Sequence, residues 1–477
     1  MTRSRTPRRV IALATGVITA VLGLTALPVG PASGAVTYLY VRGGSGCSDT
    51  GSGTSAVPFC TIAKAAKVAV AGQTVLVSSG TYVDEVSPWH SGVSGSPITF
   101  QPAAGATVTI SGARHAFTIS NQSWITVSGF TIKNTSRDGI YLSNATNITL
   151  SRNTVQAAGQ RASGATAYGM YLNAVSKSVM SRNLVTNNSS SGIFLVNGST
   201  ANQIYGNEIS WNANGYTRAA VGIDLRAPGN LVSSNRVHDN EDSGIQAYPG
   251  GDRNTIVNNV VYHNKGFTTV RQTNCSPPSS GNTAGCITGD HGIDSYGVTG
   301  GTVVGNTVYD NAASGINLEA VPAGTSSGFT FANNISVDNG VLCPNGAGGT
   351  VSCPRTTGDI RVDAASRLGT TLDYDLVNLS VSGSVIVWGT SFYTTISAFR
   401  NATGQETHGL QANPRWTNPA QAVFTLQAGS PAIDSANSSA RGQTTTDASS
   451  RSRVDDSATT NTGAGVRTYD DRGAYEF

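Results

Sequence analysis

A short motif recurs along the middle of the chain and constrains its fold more than any other feature. A glycine followed by Ile or Met precedes an asparagine by 13 to 15 residues in six successive units and by 19 in a seventh. The glycines are Gly139, Gly169, Gly192, Gly222, Gly244, Gly292 and Gly315, and the asparagines are Asn153, Asn183, Asn207, Asn235, Asn259, Asn306 and Asn334. A second asparagine column follows at Asn188, Asn212, Asn240, Asn264, Asn311 and Asn339. The shortest unit, from Gly169 to Gly192, has 23 residues.

Short alternating strands between Gly and Asn turns, at this period, predict the coils of a parallel β-helix, in which each coil buries its inward residues by stacking on the next. A β-propeller needs a period of roughly 40 residues, which does not fit. We therefore expect an all-β chain, a right-handed parallel β-helix over residues 36–340. The asparagine columns are interpreted as structural, because Asn tolerates left-handed turns and its amide can hydrogen-bond along a stack of identical turns.

Both ends of the chain carry patterns of their own. Residues 1–35, with Arg3, Arg5, Arg8 and Arg9 before an apolar run and a small-residue stretch, predict a signal peptide and a secreted, extracellular protein. Residues 63–71 predict a short helix that covers the N-terminal end of the solenoid. Residues 341–477 are expected to hold the last coils and a C-terminal cap. No further stretch has the roughly 18 apolar residues of a membrane span.

The spacing of the cysteines and the charge of the chain indicate the redox compartment and exclude some classes of partner. The six cysteines form three close pairs, Cys47 with Cys60, Cys275 with Cys286 and Cys343 with Cys353, which predict disulfides in an oxidising compartment. Zinc is the alternative, but no CxxC or neighbouring His pair supports it. Charged residues make up 12% of the chain, the net charge is +3, and basic runs are absent outside the leader, so nucleic acid is not an expected partner.

The strand that follows each Gly places alternate residues outward, and these form a column along one face. Down the coils the outward pairs are Tyr141/Ser143, Tyr171/Asn173, Phe194/Val196, Asp224/Arg226, Gln246/Tyr248, Asp294/Tyr296 and Asn317/Glu319. Aromatic residues give way to acids, an arginine and tyrosines, and insertions near 159–168, 213–221 and 265–291 enter the same corner. A single polar residue there is ordinarily solvated surface, whereas this cluster predicts a sugar-binding groove.

Roles follow from residue type. Asp224, Arg226, Asp242, His291, Asp294, Tyr296 and Glu319 are the candidate catalytic residues, and Gln246, Tyr248, Asn317, Tyr171 and Phe194 the candidate substrate-binding residues. His291, just before Gly292, is expected to serve either as an acid/base, near its usual pKa of about 6.5, or as a turn-stabilising residue. Strand spacing puts the Cα atoms of Asp294 and Glu319 about 8 Å apart, within the range of paired glycosidase carboxyls.

Three segments resemble secreted β-helix carbohydrate-active enzymes, and family 9 pectate lyases in particular. They are the opening VTYLYVRGGSGCSDTGSG, the closing SPAIDSA to DRGAYEF, and HDNEDSGIQ at 238–246. The resemblance implies a calcium-assisted lyase in which Asp239 and Asp242 match aspartate ligands of the ion, with Asp224 as a further ligand. The family's general base is a lysine at the position that Tyr296 occupies in this sequence.

Three functions remain open at this point. The first is a lyase that cleaves a uronic-acid polysaccharide by calcium-assisted β-elimination. The second is a glycoside hydrolase that uses two of Asp224, Asp242, Asp294 and Glu319 and needs no metal. The third is a non-catalytic, carbohydrate-binding solenoid. In each case the expected partner is a polysaccharide and the expected state is a monomer.

Overall fold

The computed structural model describes residues 37–159, 166–213, 220–265, 291–321, 324–344, 350–352 and 358–477. The unit Val36–Phe477 is built from three long sheets, here named A, B and C, to which each coil contributes one strand in turn. Neighbouring strands in the sheets are parallel, apart from the last pair of sheet C. The predicted all-β parallel β-helix is therefore confirmed.

The strands are short, and three or four residues is the usual length. Sheet A contains β1 Tyr38–Val41, β2 Thr74–Val77, β4 Ile98–Pro102, β7 Ser123–Ser128, β10 Thr146–Ser151, β13 Val179–Ser181, β16 Gln203–Tyr205, β19 Leu231–Ser233, β22 Thr255–Val257, β25 Thr302–Val304, β28 Thr330–Ala332 and β33 Thr371–Asp373. Sheet B contains β3 Gly80–Tyr82, β5 Val108–Ser111, β8 Thr131–Lys133, β11 Thr154–Gln156, β14 Leu184–Thr186, β17 Glu208–Ser210, β20 Arg236–His238, β23 Val260–Tyr262, β26 Thr307–Tyr309, β29 Ile335–Val337, β34 Leu376–Asn378 and β37 Leu410–Gln411. Sheet C contains β6 Phe117–Ser120, β9 Ile140–Ser143, β12 Met170–Asn173, β15 Ile193–Val196, β18 Ile223–Leu225, β21 Ile245–Ala247, β24 Ile293–Tyr296, β27 Ile316–Glu319, β32 Ile360–Val362, β35 Ile386–Trp388 and the antiparallel β36 Ser391–Tyr393.

The inward residues of sheet C form one side of a continuous core. The isoleucines and leucines expected to point inward are fully buried: Ile140, Ile193, Ile223, Ile245, Ile293, Ile316, Leu142, Leu172, Leu195, Leu225 and Leu318. The register pairs Phe194 with Asp224, Asp224 with Gln246, and Gln246 with Asp294. The outward column inferred from the repeat is thus present in the fold.

The asparagine columns are hydrogen-bonded ladders. Each Asn donates from Nδ2 to Oδ1 of the Asn one coil on, as Asn207 does to Asn235 at 2.9 Å, and also to a main-chain carbonyl. The two ladders end on carboxylates, since Asn334 donates to Asp375 at 2.9 Å and Asn339 donates to Asp359 at 3.2 Å. These side chains therefore satisfy buried turns, and the structural interpretation is confirmed.

The repeated glycine has a steric cause. A Cβ atom on Gly169 would lie 2.4 Å from Val185 Cγ1 and 2.6 Å from the carbonyl oxygen of Gly192. No side chain fits so close to the neighbouring coil. Equivalent contacts recur at the other glycines of the repeat, except that a Cβ on Gly315 would meet Ser336 and Asn339. The Gly-Ile signature therefore marks the corner at which sheet C begins.

The predicted N-terminal helix is present as α1, Ile62–Val68, and it begins at Thr61, whose hydroxyl accepts from the Lys64 amide at 3.0 Å. It ends before the predicted Ala71 because Ala69 is already extended. Its neighbouring loop carries the disulfide between Cys47 and Cys60, which was predicted. Cys275, Cys286 and Cys353, and the side chain of Cys343, lie outside the described residues.

The C-terminal segment packs along sheet B. Trp416, Phe424 and Leu426 form a second buried cluster with Val260 and Ile335. The segment contains α2 Ile396–Thr403, 3-10 turns at Ala365–Arg367 and Pro419–Gln421, and the hairpin of β38 Trp416–Asn418 with β39 Val423–Leu426, while β30 Leu342–Pro344 and β31 Thr350–Ser352 form another hairpin. The described part of the chain includes no helix with the length and apolar character of a membrane span.

Candidate functional site

A cleft of about 430 Å³ opens along sheet C, at the corner that precedes the strands. Five predicted site residues line it together, namely Asp224, Arg226, Asp242, Gln246 and Tyr248. The wall of the cleft is formed by corner residues just before the glycines, among them Tyr168, Ser190, Ser191, Ala220 and Val221. The structure therefore brings the central part of the predicted groove into one site.

Asp224 and Arg226 form an ion pair inside this cleft. Arg226 Nη2 lies 3.0 Å from Asp224 Oδ2, and Arg226 Nε lies 3.2 Å from both carboxylate oxygens. Burial raises the pKa of Asp224 against the opposing effect of Arg226. Burial would lower the pKa of Arg226, but the hydrogen bonds and charge of Asp224 raise it overall. The Arg226 side chain stays 41% exposed, whereas that of Asp224 is 5% exposed.

Aromatic rings fix the position of this arginine. Its guanidinium carbon lies 4.5 Å from the ring centre of Tyr248 and 5.1 Å from that of Phe194, which is cation–π geometry. Tyr248 is itself stacked on Tyr296 at 5.1 Å. Phe194, expected to bind substrate, is only 7% exposed, and Tyr168 is stacked on it at 4.4 Å, so Phe194 supports the neighbouring groups of the cleft.

Tyr168 was missed by the sequence reasoning. Burial and the charge of Asp224 raise the pKa of Tyr168 to about 12, which keeps it a neutral phenol. Its position directly before Gly169 is the same as that of His291 before Gly292. Applying that offset to every glycine of the repeat would have found it, because this corner column lines the cleft.

A second cluster continues the column beyond Tyr296. One ligand atom each of His291, Asp294 and Glu319 lies within 4.8 Å of the others. Asp294 is 1% exposed and accepts hydrogen bonds from Gln246 at 2.8 Å and Asn317 at 2.7 Å. Asn317, expected to bind substrate, is fully buried and instead holds Asp294 in place.

Arg361 completes this cluster and was also missed. It donates to Asn317 Oδ1 at 2.8 Å and lies 2.5 Å from Glu319 Oε2. By occupying the oxygen of Asn317 it directs the amide nitrogen of Asn317 toward Asp294. β32, which carries Arg361, lies beyond the last Gly-Ile unit of the repeat, but its register places Arg361 next to Asn317.

His291 takes part in a turn as well as in the cluster. The main-chain N–H of Ser314 donates to His291 Nδ1 at 3.0 Å, so in the neutral ring the proton resides on Nε2. The ring is 1% exposed. The structure thus supports the turn-stabilising alternative, and substrate access to His291 is restricted.

The calcium ligands implied by the resemblance do not fit the arrangement. Asp239 has left-handed backbone (φ 53°) directly after β20 of sheet B, and its Oδ2 lies 2.7 Å from His238 Nδ1. Asp224 is occupied by Arg226. Of the implied ligands, Asp242 lines the cleft, and Asp239 lies at sheet B instead. We therefore withdraw the set of Asp239, Asp242 and Asp224.

The described residues do include a different group with the spacing of metal ligands, the cluster of His291, Asp294 and Glu319. Its donor set is a poor match for calcium, which prefers oxygen ligands alone. Arg361 already neutralises Glu319, and both oxygens of Asp294 accept amide hydrogen bonds. We derive no catalytic step through a metal at either place.

Comparisons with known proteins agree with the fold. A family model described as a right-handed β-helix region matches residues 115–286. The uncharacterized protein YwoF of Bacillus subtilis (strain 168) is 27% identical over 469 residues, covering 84% of this chain and 92% of that protein.

Two solved structures are similar in fold. XylC in complex with xylose has a TM-score of 0.53 at 12% identity and covers 80% of this chain and 87% of its own. Pectate lyase Pel9A has a TM-score of 0.50 at 14% identity and covers 93% of this chain and 98% of its own. Together with the sheet topology, these matches identify the chain as a right-handed parallel β-helix protein.

Proposed function

We propose that this protein is a polysaccharide lyase that cleaves an anionic, uronate-containing polymer by β-elimination in the cleft of sheet C. The observation that carries the proposal is Arg226, a half-exposed cation held in a fixed orientation at the centre of the cleft. A polymer that carries carboxylates is the natural partner of such a group, since the guanidinium fork binds carboxylates in a bidentate manner.

Two constraints give Arg226 its orientation. Asp224 binds Nε and Nη2, and the rings of Phe194 and Tyr248 contact the guanidinium plane. Nη1 and the outer side of Nη2 are then available to a substrate carboxylate. Asp224 acts in this scheme as a positioning residue and is neither a metal ligand nor a proton donor.

The chemistry requires the removal of the proton next to the substrate carboxylate. Arg226 neutralises that carboxylate and so acidifies the adjacent C–H. A base takes the proton, a carbon–carbon double bond forms, the glycosidic C–O bond breaks, and the leaving oxygen receives a proton. We assign the base to Tyr296, which must react as its phenolate and is half-buried beside Tyr248, rather than to the buried His291.

Proton return and substrate positioning complete the assignment. Tyr248, stacked at 5.1 Å on Tyr296, is placed to protonate the leaving oxygen, and the proton that Tyr296 has gained then passes to Tyr248 through solvent, which restores both groups. Asp242 and Gln246 line the same cleft and supply hydrogen bonds to sugar hydroxyl groups. A pectate lyase and a protein solved with xylose have a similar fold, and this similarity supports the proposal of a carbohydrate substrate.

A retaining glycoside hydrolase is the second candidate, and one observation favours it. Oxygen atoms of Asp294 and Glu319 lie within 4.8 Å of each other, close to the roughly 5 Å that retaining enzymes use. We place it second because Asp294 is 1% exposed and Glu319 is bound to Arg361. To act as nucleophile and acid, Asp294 and Glu319 would both have to give up their present hydrogen bonds or ion pair.

A digest of several polymers tests both candidates. Polygalacturonate, alginate, glycosaminoglycans and neutral xylan are incubated with the protein, and ultraviolet absorbance is followed together with new reducing ends. Absorbance that rises with an anionic polymer, and falls in Arg226→Gln, supports the lyase. If new reducing ends form without absorbance, and no longer form in Glu319→Gln, the protein is a hydrolase and not a lyase. If the protein binds a polymer but yields no product, it is a binding protein.

A further inference from the structure

A second cleft, of about 420 Å³, lies on the same corner of the solenoid and has no role in the proposed reaction. Arg114, His115, Arg137, Asp138, Tyr141 and Tyr168 are among its lining residues. Thr166 and Tyr168 line both this cleft and the one that holds Arg226, so the two are continuous. Together they extend from β6 to β21, six neighbouring strands of sheet C, or about 24 Å at the usual strand spacing.

The charge in the second cleft comes from two arginines on adjacent coils. The Arg137 amide donates to the Arg114 carbonyl at 2.9 Å, which places the two residues side by side. Both side chains are exposed, and within the described residues neither guanidinium forms an ion pair with a carboxylate. Both guanidinium groups line the cleft and add to its positive charge, so an anion bound there would be attracted to both.

The carboxylates near these arginines have other partners. Asp138 accepts from the Tyr168 amide at 2.8 Å and lies 3.7 Å from His115 Nδ1. Glu85 accepts from the Thr118 hydroxyl at 3.0 Å. Arg137 still interacts with Asp138 through its charge, but no carboxylate of the described residues is within ion-pair distance of either guanidinium, so both groups can bind a ligand.

Aromatic rings provide the other half of a sugar site. Tyr141 packs against Tyr171 at 5.4 Å, Tyr171 against Tyr168 at 5.2 Å, and His115 against Tyr141 at 5.3 Å. This aromatic row leads from the arginine pair to the cleft of Arg226. Rings that line such a path suit the apolar faces of sugar rings, and the arginines suit their carboxylates.

We propose that the second cleft, named here the distal subsite, binds a further anionic sugar unit of the same polymer, with Arg114 and Arg137 as its carboxylate ligands. The inference rests on the proposed function only in that the polymer is the same. It implies that the protein engages a run of several uronate units, and that long chains bind better than short ones.

The chain offers a matched control for the test. Arg152 and Arg182 are also exposed and adjacent, because the strands that precede them pair Ser151 with Ser181. They lie at the turn between sheets A and B and line neither cleft. The variant R152Q/R182Q therefore removes the same charge as R114Q/R137Q from a different corner.

The experiment compares wild type with these two double variants. KM is measured on the long anionic polymer that wild type cleaves and on its short oligomers. Retardation is measured in native gels that contain polygalacturonate, alginate or neutral xylan, as the mobility of each protein relative to its own mobility in a polymer-free gel, because both double variants lose two positive charges. R114Q/R137Q is expected to raise KM for long chains about tenfold or more with kcat unchanged, to leave short oligomers unaffected, and to be retarded less than wild type in the anionic gels. R152Q/R182Q is expected to match wild type in KM and in retardation.

The outcomes separate this inference from the proposed function. An unchanged KM and retardation in R114Q/R137Q, or an equal effect of R152Q/R182Q, overturns the distal subsite while the lyase stands. If wild type cleaves no polymer, the proposed function fails, and the retardation in the gels alone then tests the distal subsite. Retention in anionic gels that is lost only in R114Q/R137Q then supports the subsite, and wild type that is not retained overturns it.

Discussion

Arg226 comes directly after β18, two residues after Asp224, and holds the carboxylate of Asp224 through Nε and Nη2 at 3.0–3.2 Å. An outward residue of the strand and the residue that follows its end thus form a single unit, in which the buried carboxylate orients a partly exposed guanidinium. The pair explains why an aspartate in the middle of the candidate site is a poor metal ligand. Because Arg226 has to bind Asp224 and a substrate carboxylate at the same time, the planar shape of its guanidinium is needed as well as its charge.

The first prediction concerns that shape. Arg226→Lys keeps the charge but loses the planar fork, so it cannot bind Asp224 and a substrate carboxylate together. We expect kcat/KM to fall about ten- to a hundredfold, the effect of one lost charge-assisted bidentate contact. Initial rates of ultraviolet absorbance on the active polymer measure it. Arg152→Lys serves as the control, and wild-type rates in Arg226→Lys would show that charge alone suffices.

The second prediction concerns the hydrogen bonds around Asp294. In Asp294→Asn one carboxylate oxygen becomes an NH2 group that faces a donor, either Gln246 or Asn317. Asn317 cannot rotate to compensate because its oxygen is held by Arg361. We expect the free energy of unfolding to decrease by about 1–3 kcal/mol, measured by chemical denaturation.

A swapped pair provides the control for this experiment. In Asp294→Asn combined with Asn317→Asp, the new amide at 294 donates to the new carboxylate at 317, which also keeps the contact with Arg361. The double variant is expected to recover part of the lost stability, as a coupling energy in the mutant cycle. Purely additive losses would contradict the hydrogen-bond network.

The third prediction concerns calcium. Because Asp224 and Asp239 are occupied by Arg226 and His238, a calcium chelator is expected to leave the cleavage rate unchanged. Rates with chelator and with added calcium, together with metal analysis of the purified protein, test this. A rate that falls with chelator and returns with calcium would refute it, and the variant Asp242→Asn would then show whether the ion is held in the cleft.

The repeat was enough to predict the coil, the inward and outward register and the asparagine ladders. These follow from local rules, because strand alternation and stacked turns recur in every coil. The side-chain partners in the site could not be predicted in the same way. Asp239 lies within the segment that resembles calcium ligands, yet its left-handed backbone and the adjacent His238 direct it to sheet B.

Arg361 shows the other limit of the sequence. It comes 42 residues after Glu319, to which it is bound. Neither the period nor the motif places those two side chains together. Only the register of β27 with β32 does, and that register depends on how the intervening chain is accommodated. A repeat pattern therefore does not predict side-chain pairs that are separated by a long irregular segment of the chain.

The last prediction concerns the C-terminal end of the asparagine ladder. Asp375 accepts from Asn334 and is fully buried beside Glu406, and burial raises the pKa of Asp375 to about 6. Burial, followed by the charge of Asp375, also raises the pKa of Glu406. The folded state therefore retains a proton on Asp375 over a pH range in which the unfolded chain, with an ordinary pKa near 3.8, has already lost it.

The sign of the effect follows from this difference. The contribution of Asp375 to the free energy of unfolding is greatest below about pH 4, falls as the pH rises through about 6, and has been lost by pH 7, a decrease of about 3 kcal/mol. Asp375→Asn keeps an oxygen for Asn334 and adds a donor toward Glu406. We expect the variant to be more stable than wild type at pH 7 and similar to it at pH 4, as measured by urea denaturation followed by tryptophan fluorescence. Asp455→Asn, at an exposed position, should show no such pH-dependent difference, and an Asp375→Asn variant that is less stable than wild type at pH 7 would mean that the ladder requires the carboxylate itself.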